Sequence, residues 1–410
     1  MRKVISWKLM MASLLVGLLV VSYGVPVQGK VSIKFVGMEY YEWTGDWYRE
    51  AAAKFEKQNP DVSVKIEVVP WDYAFDRYIT WIKGGKAPDV GGGGAKWLVD
   101  FKNMDALEPL NQYMSPTFKA NIIPSLLEPL EKEGNYYALP FAAAARGVFW
   151  NVGAFKDAGI DTFPGTWDEF ITTCEKIKTA TDLYPYAIDL NDHEAIWNAR
   201  PFLLAAGGGL LTNDKWTLDT PENLDAVQFI TDLVRKYQFT QPGPTGSTRQ
   251  VIQQLFIGEH AAMLHETMET IGRLAELNPE MEYDISPFPE LRAPGVISLI
   301  DTIYLFKGPN AEAGWKLIEF LMSDPMHLDW VKKLSCMGGT KSVLEVWPTG
   351  PHYEELSSLL PMAKMYPVQA GWDVVEEEMR AAIQLAVLGT KTPAQALKEA
   401  QELAEKRLGL

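Results

Sequence analysis

The sequence predicts an α/β protein of two lobes, each a mostly parallel sheet flanked by helices. Three observations lead there. Strand and helix patterns alternate from Val31 onward. The chain, at 410 residues, is longer than one typical hydrophobic core supports. Between Pro140 and Phe170 the pattern stops and restarts, which marks the passage from one lobe to the next.

The amino terminus reads as a secretory leader. Arg2, Lys3 and Lys8 form its positive head, Leu9 to Val21 its apolar stretch of 13 residues, and Val27-Gln28-Gly29 its cleavage site. The apolar stretch falls short of the ~20 residues of a membrane span. No cysteine follows it to carry a lipid. The expectation is a free periplasmic protein from which residues 1–29 are removed. Cleavage leaves 381 residues and, by removing three cations, takes the net charge from −15 to −18. So acidic a chain is a poor partner for nucleic acid or an anionic membrane, and it disfavours a strongly anionic ligand.

Val31 to Val36 forms the first strand. Trp47, Ala51 and Phe55 recur at helical spacing, and Asn59-Pro60 ends that helix. Val62, Val64, Ile66 and Val68 alternate as a second strand, giving a right-handed βαβ unit. A helix through Phe75, Ile79 and Ile82 breaks at Gly84-Gly85, and Ala87 to Val90 enters the next strand. At the crossover, Ala142 to Ala145 read as a small-residue connector and Val148 to Trp150 as a strand. Gly159 suits a helix end, and Thr166 with Glu169 forms a capping box. Ala187 to Leu190 reads as a strand, Ala195 to Ala206 as a helix, and Thr220-Pro221 as the start of another. Gln241 to Ser247 is a loop, Val296 to Phe306 a strand region, Ala311 to Met322 a helix, and Thr392-Pro393 caps the closing helix.

The same crossover carries a resemblance. It holds Leu139-Pro140, then Trp150-Asn151, then Phe155 with Ala158-Gly159-Ile160, then Pro164 with Thr166-Trp167-Asp168-Glu169-Phe170. Further motifs are Ala87-Pro88-Asp89-Val90, Phe256 to Met263, and Ala313 to Ser323. In this order they resemble the extracellular solute-binding proteins of ABC importers, in the carbohydrate-type, maltose-binding-protein-like branch. The resemblance implies the type II periplasmic binding fold, with a ligand cleft between lobes joined by three crossings. It places lobe 1 at 30–141 plus 289–338 and lobe 2 at 142–288 plus 339–410. It also implies a sugar or polyol ligand, a monomer that delivers it to ABC permease membrane subunits, and closure of the lobes by hinge motion. Cys174 and Cys336 fall in different lobes, where a bridge would stop that motion, so two buried free thiols are expected.

Catalytic and cofactor motifs are missing from the sequence. There is no H-E-x-x-H, no G-x-S-x-G elbow and no phosphate loop, so no cofactor and no catalytic residue is assigned. Gly91 to Gly94 lack Rossmann spacing. The alternatives are a secreted glycoside hydrolase, whose paired carboxylates sequence does not exclude, and a binding protein serving mainly a chemoreceptor. The positive signal is 14 tryptophans in an acidic chain. Flat rings cover the C–H faces of sugars, while carboxylates and Arg bind their hydroxyls. Residues following strands are the first candidates: Glu39, Tyr40, Trp71, Asp72, Gly93 and Trp97. Alignment with the resembling family adds Trp197 and Trp372. After Met263 that family commonly has Gly-x-Trp; here His265, Glu266 and Thr267 stand instead, which makes Glu266 a candidate and favours a small ligand. Arg146 at the crossover and Asp301 in the return strand complete the set.

Overall fold

The computed structural model describes residues 30–410, apart from 192–194, 214 and 348. The expected leader, 1–29, lies outside the described residues. No helix among them is long and apolar enough to cross a membrane.

The first lobe opens with β1 (Val31–Glu39), α1 (Thr44–Gln58), β2 (Val62–Pro70), α2 (Trp71–Lys83) and β3 (Val90–Gly94). β1 pairs in parallel with β2 and with β3, as the βαβ reading requires. The chain returns as β4 (Leu139–Ala145), so the expected connector at Ala142 to Ala145 is a strand: small side chains let it lie flat in the sheet. Arg146 alone separates β4 from β5 (Gly147–Asn151), the first strand of the second lobe. Asn151 caps α3 (Val152–Asp157), and Gly159 behind it takes φ +64°, the left-handed conformation its position demands.

Next comes α4 (Trp167–Ala180), whose capping box forms as read: Thr166 accepts from the Glu169 N–H and Glu169 accepts from the Thr166 N–H. Backbone N–H bonds from Gly165 and Thr166 hold the Glu169 carboxyl below the usual carboxylate range. Ala187 makes only an isolated parallel bridge to Leu264, so the strand expected at 187–190 does not develop. The lobe continues with α5 (Ala195–Ala205), α6 (Pro221–Arg235), α7 (Arg249–Ile257), β6 (Met263–Glu266), α8 (Glu269–Leu277) and β7 (Tyr283–Ser286). β5 is the centre of this sheet, with β6 and β7 antiparallel on either side.

β8 (Ile297–Leu305) then crosses back into the first sheet, antiparallel to both β3 and β4. The first sheet is thus mixed, parallel at β1–β2, β1–β3 and β8–β9 and antiparallel where β8 meets β3 and β4, while the named strands of the second are antiparallel. α9 (Ala311–Leu321), α10 (Asp324–Leu334) and α11 (Lys341–Leu344) follow. Thr340 still bridges Ile122 of the first lobe, so the third connection leaves after α11 rather than at Gly338-Gly339. It passes α12 (Pro351–Ser358), touches the first sheet again as β9 (Lys364–Met365) beside β8, and ends in the second lobe as α13 (Trp372–Leu388) and α14 (Pro393–Leu408). Cys174 and Cys336 are buried free thiols in separate lobes.

Candidate functional site

The site begins at the carboxyl ends of β1, β2 and β3, where an open α/β sheet presents its ligands. Tyr40 follows β1, Trp71 follows β2, and Gly94 ends β3. Antiparallel pairing sets Asp301 of β8 beside Gly94. The Tyr40 hydroxyl donates to Asp301 Oδ2 at 2.8 Å, and its ring meets Trp71 edge-on at 5.5 Å. A Cβ at Gly94 would lie 3.7 Å from Tyr366 Oη and 3.8 Å from the Trp71 ring, so a side chain there would fill the space between them. Tyr366, just past β9, donates to the Ile300 carbonyl at 3.3 Å. Its ring contacts two tryptophans of the second lobe, Trp197 at 5.6 Å and Trp372 at 5.5 Å. Arg200, one turn along α5 from Trp197, holds its guanidinium 5.8 Å from the Trp197 ring, 6.0 Å from Tyr366 and 5.9 Å from Trp372. A band of rings with one carboxylate thus runs unbroken from lobe to lobe: Trp71, Tyr40, Asp301, Tyr366, Trp197.

Charge ties the lobes together beside this band. Lys96, after β3, meets Glu376 of α13 at 2.7 Å and Asp373 at 3.6 Å. Glu376 also accepts from Trp372 Nε1 at 2.7 Å. Burial works against the Lys96 ammonium, but Glu376 and Asp373 outweigh it and raise its pKa. Burial pushes Asp301 up to about 6, opposed only by the Tyr40 hydrogen bond. Asp373 also rises to about 6, again chiefly from burial. Burial lowers Arg200 to about 10, with Tyr366 and Glu376 holding against it.

Two α/β lobes, three connections and an aromatic interlobe band are the features against which known proteins can be compared. The sequence profile of the bacterial extracellular solute-binding proteins matches residues 41–327. The chain belongs to that family. A Brucella abortus chain named only as a binding protein is 28% identical over 410 residues, 97% of this chain and 98% of its own. A maltotriose-binding protein of Pyrococcus abyssi is 24% identical over 289 residues, 68% of this chain and 60% of that one. An ABC transporter solute-binding protein of Thermotoga lettingae, solved with α-D-tagatose bound, superposes with a TM-score of 0.80 at 25% identity, covering 92% of this chain and 99% of that one. Proteins of this family bind solutes rather than transform them, so this chain is a binding protein and not an enzyme.

Within that family's fold, the predicted residues fall into three groups. Tyr40, Trp71, Asp301 and Trp197 come together in the band, each half-buried. Trp372 and Trp97 stand behind it. Trp372 is fully enclosed by Tyr366, Trp216 and Arg200. Trp97 is only 2% exposed and packs on Trp71, Phe75 and Tyr78. Gly93 serves that ring: a Cβ there would sit 2.5 Å from Trp97, so its bareness makes room for an indole rather than for a ligand. The third group stands apart. Glu39 is exposed at the end of β1. Asp72 lies in the first turn of α2, and its side chain is outside the described set. Arg146 is buried at the crossover between β4 and β5, its backbone N–H donating to Ile297 O at 3.0 Å. Glu266 is buried with both oxygens occupied: Arg249 clasps it with two bonds of 2.7 Å, and the Thr267 N–H donates at 2.9 Å. Burial opposes its ionisation, yet Arg249 and Arg146 hold its pKa down near 2. The polar run that replaces Gly-x-Trp therefore builds an internal ion pair.

Sequence reasoning missed Tyr366, Arg200, Lys96 and Glu376. Tyr366 follows a two-residue strand, too short to show any period. Arg200 did carry a signal, as the lone charge in the otherwise largely apolar helix α5. A cavity of about 1020 Å³ at Trp216, Gly371, Gln401 and Leu408 shares no residue with the band. A smaller one, about 190 Å³, opens beside Arg200 against Leu203, Gly208 and Lys364.

Proposed function

We propose that this chain is the substrate-binding component of an ABC importer, that it takes a sugar or polyol of one to a few units between its lobes, and that it delivers the ligand to a membrane permease from the periplasm. The observation that carries this reading is the interlobe band of Trp71, Tyr40, Asp301, Tyr366 and Trp197. Rings from both lobes offer apolar faces for C–H surfaces, and a carboxylate with a phenol beside it suits adjacent hydroxyls. Because the rings belong to different lobes, a ligand touching both favours the state in which the lobes are together. Trp97 and Trp372 hold the rings of the band from behind. The reading keeps the monomer as the working unit and needs no cofactor.

A thermal-shift and calorimetry screen of monosaccharides, disaccharides and cyclitols tests it. A ligand at one hundred times its Kd stabilises the protein by about 2.7 kcal/mol. Trp71→Ala and Trp197→Ala, one from each lobe, are each expected to weaken the hit about tenfold or more through lost ring contact. A screen with no hit, or a hit unmoved by both substitutions, refutes the reading.

A further inference from the structure

We propose that Asp284, His352 and Glu355 form a divalent transition-metal site of the zinc class, which fastens the third interlobe connection to the edge of the second sheet. Asp284 lies on β7, the edge strand, whereas His352 and Glu355 share one face of α12 at i,i+3 spacing. One ligand atom from each residue lies within 4.8 Å of the other two. His352 Nδ1 already stands 3.1 Å from Glu355 Oε2. Ligands of a tetrahedral zinc at ~2.1 Å sit ~3.4 Å from one another, so the cluster needs only a modest contraction to close on an ion.

Two further observations favour an ion over a loose surface cluster. The His352 ring is stacked on Tyr283, 4.2 Å between centroids, which fixes the plane of the imidazole. Among the described residues, no lysine or arginine forms a salt bridge with Asp284 or Glu355, and an oxygen of each carboxyl lies within 4.8 Å of the other. Glu282, two positions from Asp284, has Lys156 at 2.9 Å. One imidazole nitrogen and two carboxylate oxygens suit zinc, whereas calcium and magnesium ask for all-oxygen shells. All three residues are half-buried, which leaves the outward side for water as the remaining ligand. The cluster shares no residue with the aromatic band: an ion here restrains α12 on the second lobe and contributes no group to sugar contact.

The experiment titrates zinc chloride into the full mature chain, free of any affinity tag and of sugar, by calorimetry and thermal shift. One equivalent of heat and a rise in melting temperature are expected, and Asp284→Asn and His352→Gln should each weaken binding at least ~10-fold. Melting of each variant without metal reports whether it folds, and His352→Gln alone decides the matter if Asp284→Asn does not. Absence of heat, or zinc binding undiminished in a folded variant, overturns the proposal. Equal binding of calcium overturns the assignment to a transition metal.

Discussion

Asp301 enters β8 with Gly94 opposite it on one side and Ala142 on the other, so neither neighbouring strand offers its carboxyl a cation. The Tyr40 hydroxyl is the donor it has, and burial raises its pKa from 3.8 to about 6. The folded protein thus binds this proton more tightly than the unfolded chain does. The associated stability is complete below about pH 3.8 and is lost as pH rises through about 6. Asp373 shifts in the same direction, so the ligand-free protein should lose melting temperature between about pH 4 and 6 on account of both. Asp301→Asn should flatten part of that fall while leaving the share of Asp373. Melting curves for the two proteins across this range check it, and identical slopes would show that Asp301 titrates as it does in the unfolded chain.

At the scale of the element, β3 shows why a glycine run in a strand need not be a ligand loop. Its residues Val90–Gly94 lie between β1 and β8, and the missing side chains are replaced by rings from outside the strand. Tyr78 fills the space at Gly91, and Trp97 fills it at Gly93. A Cβ at Gly93 would collide with the Trp97 indole at 2.5 Å, and that indole is wedged among Trp71, Phe75 and Tyr78. Gly93→Ala is therefore expected to destabilise by about 1–3 kcal/mol through overpacking. Gly92→Ala meets the flexible Met38 side chain at 3.4 Å, and backbone atoms of Met38 and Val36 only at 3.7 Å, and should cost much less. Denaturant melts of both variants check this, and equal costs would show that the rings move aside. The same contrast explains what was legible in the chain. Local rules wrote the helix ends: Asn59, Gly159, the Thr166–Glu169 box and the Thr392 cap all fall where spacing placed them. Tyr40, Trp71 and Asp301 were also within reach, since they follow strands or sit in one. Side-chain pairing between elements was not. No spacing says that the Trp97 ring folds back over Gly93 or that Arg249 clasps Glu266, and Tyr366 reaches the band only because β9 docks on β8.

The whole molecule is two lobes whose contact is maintained by charge as well as by rings. Lys96 of the first lobe lies between Glu376 and Asp373 of the second, and the Tyr41 phenol of the first faces Glu269 of the second on another side. Arg249 ties Glu269 in turn to Glu266 on β6, so the second contact is anchored in the strand layer. Lys96 is the more sensitive of the two points, because its side chain is only 19% exposed and that of Glu376 11%. Removing one partner of so enclosed a pair leaves a desolvated charge, at a cost of about 3–5 kcal/mol when fully buried. Moving the lobes apart returns Glu376 and Asp373 to water and relieves that cost, so Lys96→Met should shift the ligand-free population toward open forms. The expected readings are a larger radius of gyration in solution scattering and a weaker affinity for whichever sugar binds the wild type, since ligand must then draw the lobes together against the repulsion. Lys96→Met with Glu376→Gln removes the nearer of the two stranded charges, leaving Asp373, and should recover part of both. If scattering and affinity are the same in the single variant as in the wild type, the salt bridge does not govern closure, and the rings around Tyr366 must hold the lobes without it.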